Sequence, residues 1–158
     1  MVYKKLEEKE IAEAGKLLLE YVGWMDRDLS FQNIDEELDS FPKIYSEPDG
    51  CFIVAVEGEA VVGCVGLKKL DGRTCEMKRL YVDDRHKGKG VGKKLAEKII
   101  EEARAMNYER MRLDTLYSMT AALAIYRRNG FYEIEPYYHN PYSGVIYLEK
   151  KLQEGQAG

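Results

Sequence analysis

The chain has 158 residues, 45% of them hydrophobic and 33% charged, with a net charge of −4. It can bury one core and little more, and no apolar run approaches the roughly 20 residues of a membrane span, so no membrane partner is expected. Residues 1–50 carry 13 acids and 6 bases and residues 51–158 carry 15 and 18, nowhere basic enough for a nucleic-acid surface. Cys51, Cys64 and Cys75 lie apart with no C-x-x-C pair, which argues against a disulfide framework or zinc site and for a reduced, cytoplasmic setting. The two histidines, His86 and His139, have no ligand cluster around them, so no metal is expected. The first residues lack the apolar core of a secretory signal.

In chain order, residues 3–6 read as a short strand. Residues 8–21 predict a helix, since Ile11, Ala14, Leu17, Leu18 and Tyr21 recur at helical spacing. A linking segment over 22–32 carries Trp24, Asp28 and Phe31. Asn33, with Glu36 three residues on, reads as the start of a second helix that ends near Phe41, before Pro42. Residues 51–56 and 60–67 predict a hairpin around Glu57-Gly58-Glu59, and Asp71-Gly72 turns the chain again. Residues 110–116 predict another strand, followed by a helix capped by Ser118 or Thr120 and ending at Asn129-Gly130. Asn107 is a C-terminal cap for the helix before that strand. Two last strands, 131–134 and 145–152, flank a segment holding Tyr137, Tyr138 and Tyr142. One domain over 1–152 with a frayed tail at 153–158 accounts for the whole.

The chain is organised around residues 75–94, CEMKRLYVDDRHKGKGVGKK. Met77, Leu80, Tyr81 and Val82 suit a strand, and strict alternation would put Glu76, Lys78, Leu80 and Val82 on one face. Cys75, Met77, Arg79 and Tyr81 would then share the other. The strand breaks at Asp83-Asp84. Gly88, Gly90 and Gly92 follow at alternate positions among Lys87, Lys89, Lys93 and Lys94, and from Val91 the apolar spacing turns helical. Strand, basic glycine loop and helix start together suit a phosphate, because amide N–H groups and the positive helix end converge there. The spacing fits neither the nucleotide P-loop G-x-x-x-x-G-K-[ST] nor the dinucleotide fingerprint G-x-G-x-x-G.

Residues 87–92, Lys-Gly-Lys-Gly-Val-Gly, do resemble the pyrophosphate segment [QR]-x-x-G-x-[GA] of the GNAT superfamily of acetyl-CoA-dependent N-acetyltransferases, with Lys87 in the Gln/Arg position. Residues 122–131 resemble the family's second cofactor segment, with Tyr126, Gly130 and Phe131 in register. Met119 stands where the family often has Asn, leaving Ser118 or Thr120 as a substitute. The resemblance spans nearly the whole chain. It implies an α/β (α+β) fold, a mixed, largely antiparallel central sheet of about seven strands flanked by helices on both faces.

It also implies acetyl-CoA as co-substrate and an amine of a small molecule or peptide as acceptor, with direct transfer in a ternary complex. Leu80, Tyr81, Val82, Lys87, Gly88, Lys89, Gly90, Val91, Gly92, Lys93 and Ser118 are then the expected cofactor contacts. A bulge in the strand before the loop, common in the family, would splay it and expose its backbone groups. Glu76 is the expected base, since an amine of pKa about 10.4 arrives protonated at neutral pH. The alternative for Glu76 is an ion pair with Lys78 or Arg73 on a solvated face. Tyr126 is the expected donor to the departing thiolate, its alternative being core packing. Tyr21, Trp24, Asp28, Phe31 and Tyr138 are the expected acceptor wall, with Tyr137 and Tyr142 closing it, an aromatic and acidic surface suited to a cation. A covalent cysteine route finds no activated thiol in the sequence. The rival class is a non-catalytic acyl-CoA-binding sensor or partner-binding module, and the sequence is compatible with a homodimer.

Overall fold

A computed structural model describes residues 1–25, 34–140 and 143–153. In order these form β1 (Val2–Lys5), a 3-10 turn (Glu8–Glu10), α1 (Ile11–Met25), α2 (Ile34–Ile44), β2 (Cys51–Glu57), β3 (Ala60–Asp71) and β4 (Thr74–Val82). A 3-10 turn (Asp84–His86), α3 (Val91–Ala105), β5 (Arg110–Leu116), α4 (Thr120–Arg128), β6 (Tyr132–Ile134) and β7 (Val145–Lys151) follow. The seven strands make one sheet in the order β1-β2-β3-β4-β5-β7-β6. Only the β4–β5 pair is parallel.

Each face of the sheet buries its own core. On one, Leu95, Ala96, Ile99 and Ala103 of α3 and Leu123 and Tyr126 of α4 pack on Met77, Met111, Leu113 and Leu148. On the other, Ala14, Leu17 and Leu18 of α1 and Phe41 of α2 pack on Phe52, Val54, Cys64 and Tyr81. Ile99 is fully buried at 0% exposure, so Ile99→Ala should cost about 2–5 kcal/mol, the transfer loss plus a cavity. A urea titration checks this, and a midpoint unchanged from the native protein would place Ile99 outside the load of the core.

Three features depart from the sequence reading. Helix α1 continues to Met25, which puts Trp24 in its last turn rather than in a linker. Helix α2 passes Pro42 and ends at Ile44, because the chain leaves helical geometry at Ser40 (φ −131°) and restarts, and a first-turn proline surrenders no needed donor. Helix α4 is capped by neither Ser118 nor Thr120. Met119 takes the N-cap with no side-chain cap bond, its Sδ accepting from Thr115 Oγ1 at 3.3 Å. Asn107, by contrast, has the left-handed φ of 66° that a C-terminal cap uses. Asn33 lies outside the described residues.

The fourth departure is in β4 and shapes the site. Opposite Cys64–Gly66 of β3 the register slips, so that Cys64 pairs with Tyr81 but Gly66 with Lys78. One extra residue is accommodated at Arg79, whose φ is +61°. Strict alternation therefore fails. Leu80 and Val82 pack with the α3 core alongside Cys75 and Met77, while Tyr81 joins the α1 core. Lys78 and Arg79, neighbours in sequence, are delivered to the same side of the sheet, where Arg79 lies beside Tyr21.

Candidate active site

Strands β4 and β5 pair only from Thr74–Glu76 against Arg110–Arg112. Beyond that they part, because β5 remains paired along its whole length to β7 while the bulge turns β4 away. A cavity of about 660 Å³ fills the opening. Leu80, Tyr81 and Val82 form one wall, Asp114, Thr115 and Leu116 the other, and Ala122, Ile125 and Tyr126 of α4 the floor.

At one end lies the glycine loop. Gly88 (φ 78°) and Gly90 (φ 83°) adopt left-handed backbone, and a Cβ on either would meet nothing within 4 Å. Gly90 is the N-cap of α3, and the first helical bond runs from Lys94 N–H to its carbonyl at 3.1 Å. The N–H groups before Lys94 have no acceptor within the helix, and the first turn contains no acid to neutralise its positive end. Gly90, Val91, Gly92 and Lys93 line the cavity there, as do Lys87, Gly88 and Ser118. Lys89 is exposed and does not. Lys87 sits over the Tyr81 ring at 5.2 Å and pairs with Asp84 at 2.9 Å. These are the donors that a pyrophosphate requires.

Tyr126 is 7% exposed and packs against Phe131 with ring centroids 5.7 Å apart. Among the described residues its hydroxyl has no hydrogen-bond partner. Burial pushes its pKa up, which keeps it a neutral donor.

The other end of the cavity is charged. Tyr21, Lys78, Arg79, Asp114 and Asn140 line it. Arg79 counters the upward pull of burial on the Tyr21 hydroxyl, and the Tyr21 ring meets Tyr81 edge-on at 5.3 Å. Glu76 is 3% exposed and lies one layer behind this wall, accepting a hydrogen bond from the Tyr137 hydroxyl at 2.6 Å. Its other neighbour is Lys68, at 3.9 Å. It ion-pairs with neither Lys78 nor Arg73, and the latter pairs with Glu109 at 3.7 Å. Tyr137, Tyr138 and Tyr147 meet one another edge-on at 5.3–5.4 Å, with Tyr138 beside Asp114. The Trp24 side chain, Asp28, Phe31 and Tyr142 lie outside the described residues.

No cysteine lines the cavity. Burial pushes the Cys51 thiol up to about 12 and raises Cys75 as well, while Cys64 donates to the Arg79 carbonyl at 3.3 Å. None is an activated nucleophile.

Sequence reading overlooked Lys78, Arg79, Asp114 and Asn140 as site residues. The signal for Asp114 was present: Met111 and Leu113 turn into the α3 core, so Arg112 and Asp114 must face the other way. Lys78 shares the Glu76 face that alternation with Met77 gives, whereas Arg79 had no such signal, because its direction comes from the bulge.

The model of the Acetyltransferase (GNAT) family matches residues 18–131. An uncharacterised N-acetyltransferase of Schizosaccharomyces pombe is 38% identical, over 92% of this chain and 91% of that protein. A GNAT-family acetyltransferase of Staphylococcus aureus superposes with a TM-score of 0.80 at 23% identity, covering 96% of this chain and 99% of that one. PaiA N-acetyltransferase of Thermoplasma acidophilum, solved with coenzyme A, superposes with a TM-score of 0.75 at 19% identity, over 95% and 98%. The chain belongs to the GNAT acetyltransferase family. The sheet, the helices on both faces and acetyltransferase activity are those of that family.

Proposed function

We propose that acetyl-CoA and an amine meet in this cavity and that the acetyl group passes directly between them. The observation that carries this reading is the parting of β4 and β5 with a helix start at one end and charged groups at the other. From Met77 onward the β5-facing edge of β4 has lost its ladder partner, so backbone groups of Leu80, Tyr81 and Val82 are available to the amides of the pantetheine arm. The pyrophosphate takes the Gly88–Gly92 loop and the first turn of α3, and the thioester reaches the bulge.

The amine nitrogen attacks the thioester carbon, the carbon–sulfur bond breaks, and the thiolate takes its proton from Tyr126. The proton lost by the amine goes to Glu76 through a water or the Tyr137 hydroxyl, since Glu76 is set back from the wall. Freeing an amine of pKa about 10.4 at pH 7 costs about 4–5 kcal/mol, which is the work of this base. The acceptor is a small-molecule or peptide amine.

Tyr126→Phe tests the reading. It removes one donor and keeps the packed ring, so turnover should fall by about 10²-fold or more, with acetyl-CoA affinity little changed. Equal turnover in single-turnover experiments would leave Tyr126 a packing residue.

A further inference from the structure

The charged end of the cavity contains two opposite charges that the protein does not use on each other. Lys78, beside the β4 bulge, and Asp114, on the parted half of β5, both line it. Among the described residues neither belongs to an ion pair, so their charged atoms are more than 4.0 Å apart. They are nonetheless within electrostatic reach, for Asp114 and Glu76 both favour the charged form of Lys78. The larger influence on Lys78 is burial, which lowers its pKa. A cation in this position is poorly solvated and has no counter-ion in contact.

Neighbouring charges are already engaged. Glu76 accepts from Tyr137 at 2.6 Å, and Glu149 is held by Arg112 at 2.8 Å and Arg110 at 3.9 Å. Arg112 also lies over the Tyr137 ring at 5.6 Å, and Arg79 lies beside Tyr21. The Tyr138 hydroxyl is buried without a hydrogen bond of ordinary geometry, and burial and the nearby Asp114 carboxylate both raise its pKa. Among the described residues, one carboxylate and one ammonium on facing strands at this end of the cavity remain outside any ion pair.

We propose that the acceptor is a free α-amino acid, bound with its amino group toward Asp114 and its carboxylate toward Lys78. An amino acid carries the complementary pair of charges a few ångströms apart and spans two groups so placed with one hydrogen bond at each end. A diamine or polyamine would instead set a second cation against Lys78 and Arg79. This proposal rests on the cavity being the acetyl-transfer site. It changes the expected preference of the acceptor wall from a plain cation to a zwitterion.

The test compares amino acids with their decarboxylated amines and methyl esters, by thiol release from acetyl-CoA. A charge-assisted hydrogen bond to the carboxylate should give each amino acid a kcat/KM about 10- to 100-fold above that of its decarboxylated partner. Lys78→Gln should collapse that ratio toward parity, and Lys78→Arg should keep most of it. Equal use of both partners by the native protein, or a ratio retained in Lys78→Gln, would overturn the proposal. So would mass spectrometry showing the acetyl group on Lys78 itself, which would make that side chain an acceptor rather than an anchor. Failure of the underlying reading looks different: acetyl-CoA would not bind in calorimetry, and no amine of any kind would release thiol.

Discussion

Gly90→Val is expected to abolish detectable acetyl-CoA binding while leaving a folded protein. Two effects combine at this residue. Its φ of +83° is one that a β-branched side chain resists, so the backbone must shift and re-aim the first amides of α3. The new side chain also projects into open space, with no protein atom within 4 Å of its Cβ, and that space is where the pyrophosphate must approach the loop. The α3 core, by contrast, is held by Leu95, Ala96 and Ile99 further along the helix, so secondary structure should be retained.

 Leu95, Ala96 and Ile99 are each 0% exposed and lie at least one turn beyond the substituted position. Circular dichroism establishes the fold and calorimetry the binding. Native affinity in a folded Gly90→Val protein would remove the pyrophosphate from this loop.

Glu76→Gln is expected to depress kcat most near neutral pH and to recover part of it as the pH rises. Glutamine is nearly isosteric and still accepts from Tyr137, so the wall stays in place, but it takes up no proton. Below the pKa of the amine, the proton must be removed on the protein, and a positioned base is typically worth about 10²–10⁴-fold. As the pH approaches the pKa of the amine, the acceptor arrives neutral and the missing base matters less. A role in binding the ammonium would instead raise KM and leave kcat in place. A structural role would lower stability without a pH-dependent rate defect. Parallel kcat profiles for the two proteins would remove Glu76 from the mechanism.

The glycine loop and helix start proposed to hold the cofactor were legible in the sequence because their geometry is local. Alternate glycines, a basic run without acids and a helical apolar stripe from Val91 are all written within twenty residues, and the backbone there does what those residue types favour. The positions of the strands along the chain also followed from short-range patterning, with residues 110–116 and the 57–59 hairpin set by alternation and turn residues. The charged end, proposed to hold the acceptor, was not legible for two physical reasons. The bulge at Arg79 reverses which residues of β4 face which core, and nothing in the composition of CEMKRLYV fixes where an extra residue is absorbed. The partners of Glu76 are also remote in sequence: Tyr137 is 61 positions away, and it arrives only because β7 returns beside β5. Asp114 and Lys78 were readable from alternation alone, and Arg79 required the fold.

Direct transfer in a ternary complex is tested most directly by initial rates of thiol release measured over a grid of acetyl-CoA and amine concentrations, with the acetylated amine identified by mass. Direct transfer predicts release that depends on the amine and double-reciprocal lines that intersect. Parallel lines would mean an acetylated enzyme intermediate, and tight acetyl-CoA binding with no amine-dependent release would mean a sensor; either result contradicts the mechanism proposed for this cavity.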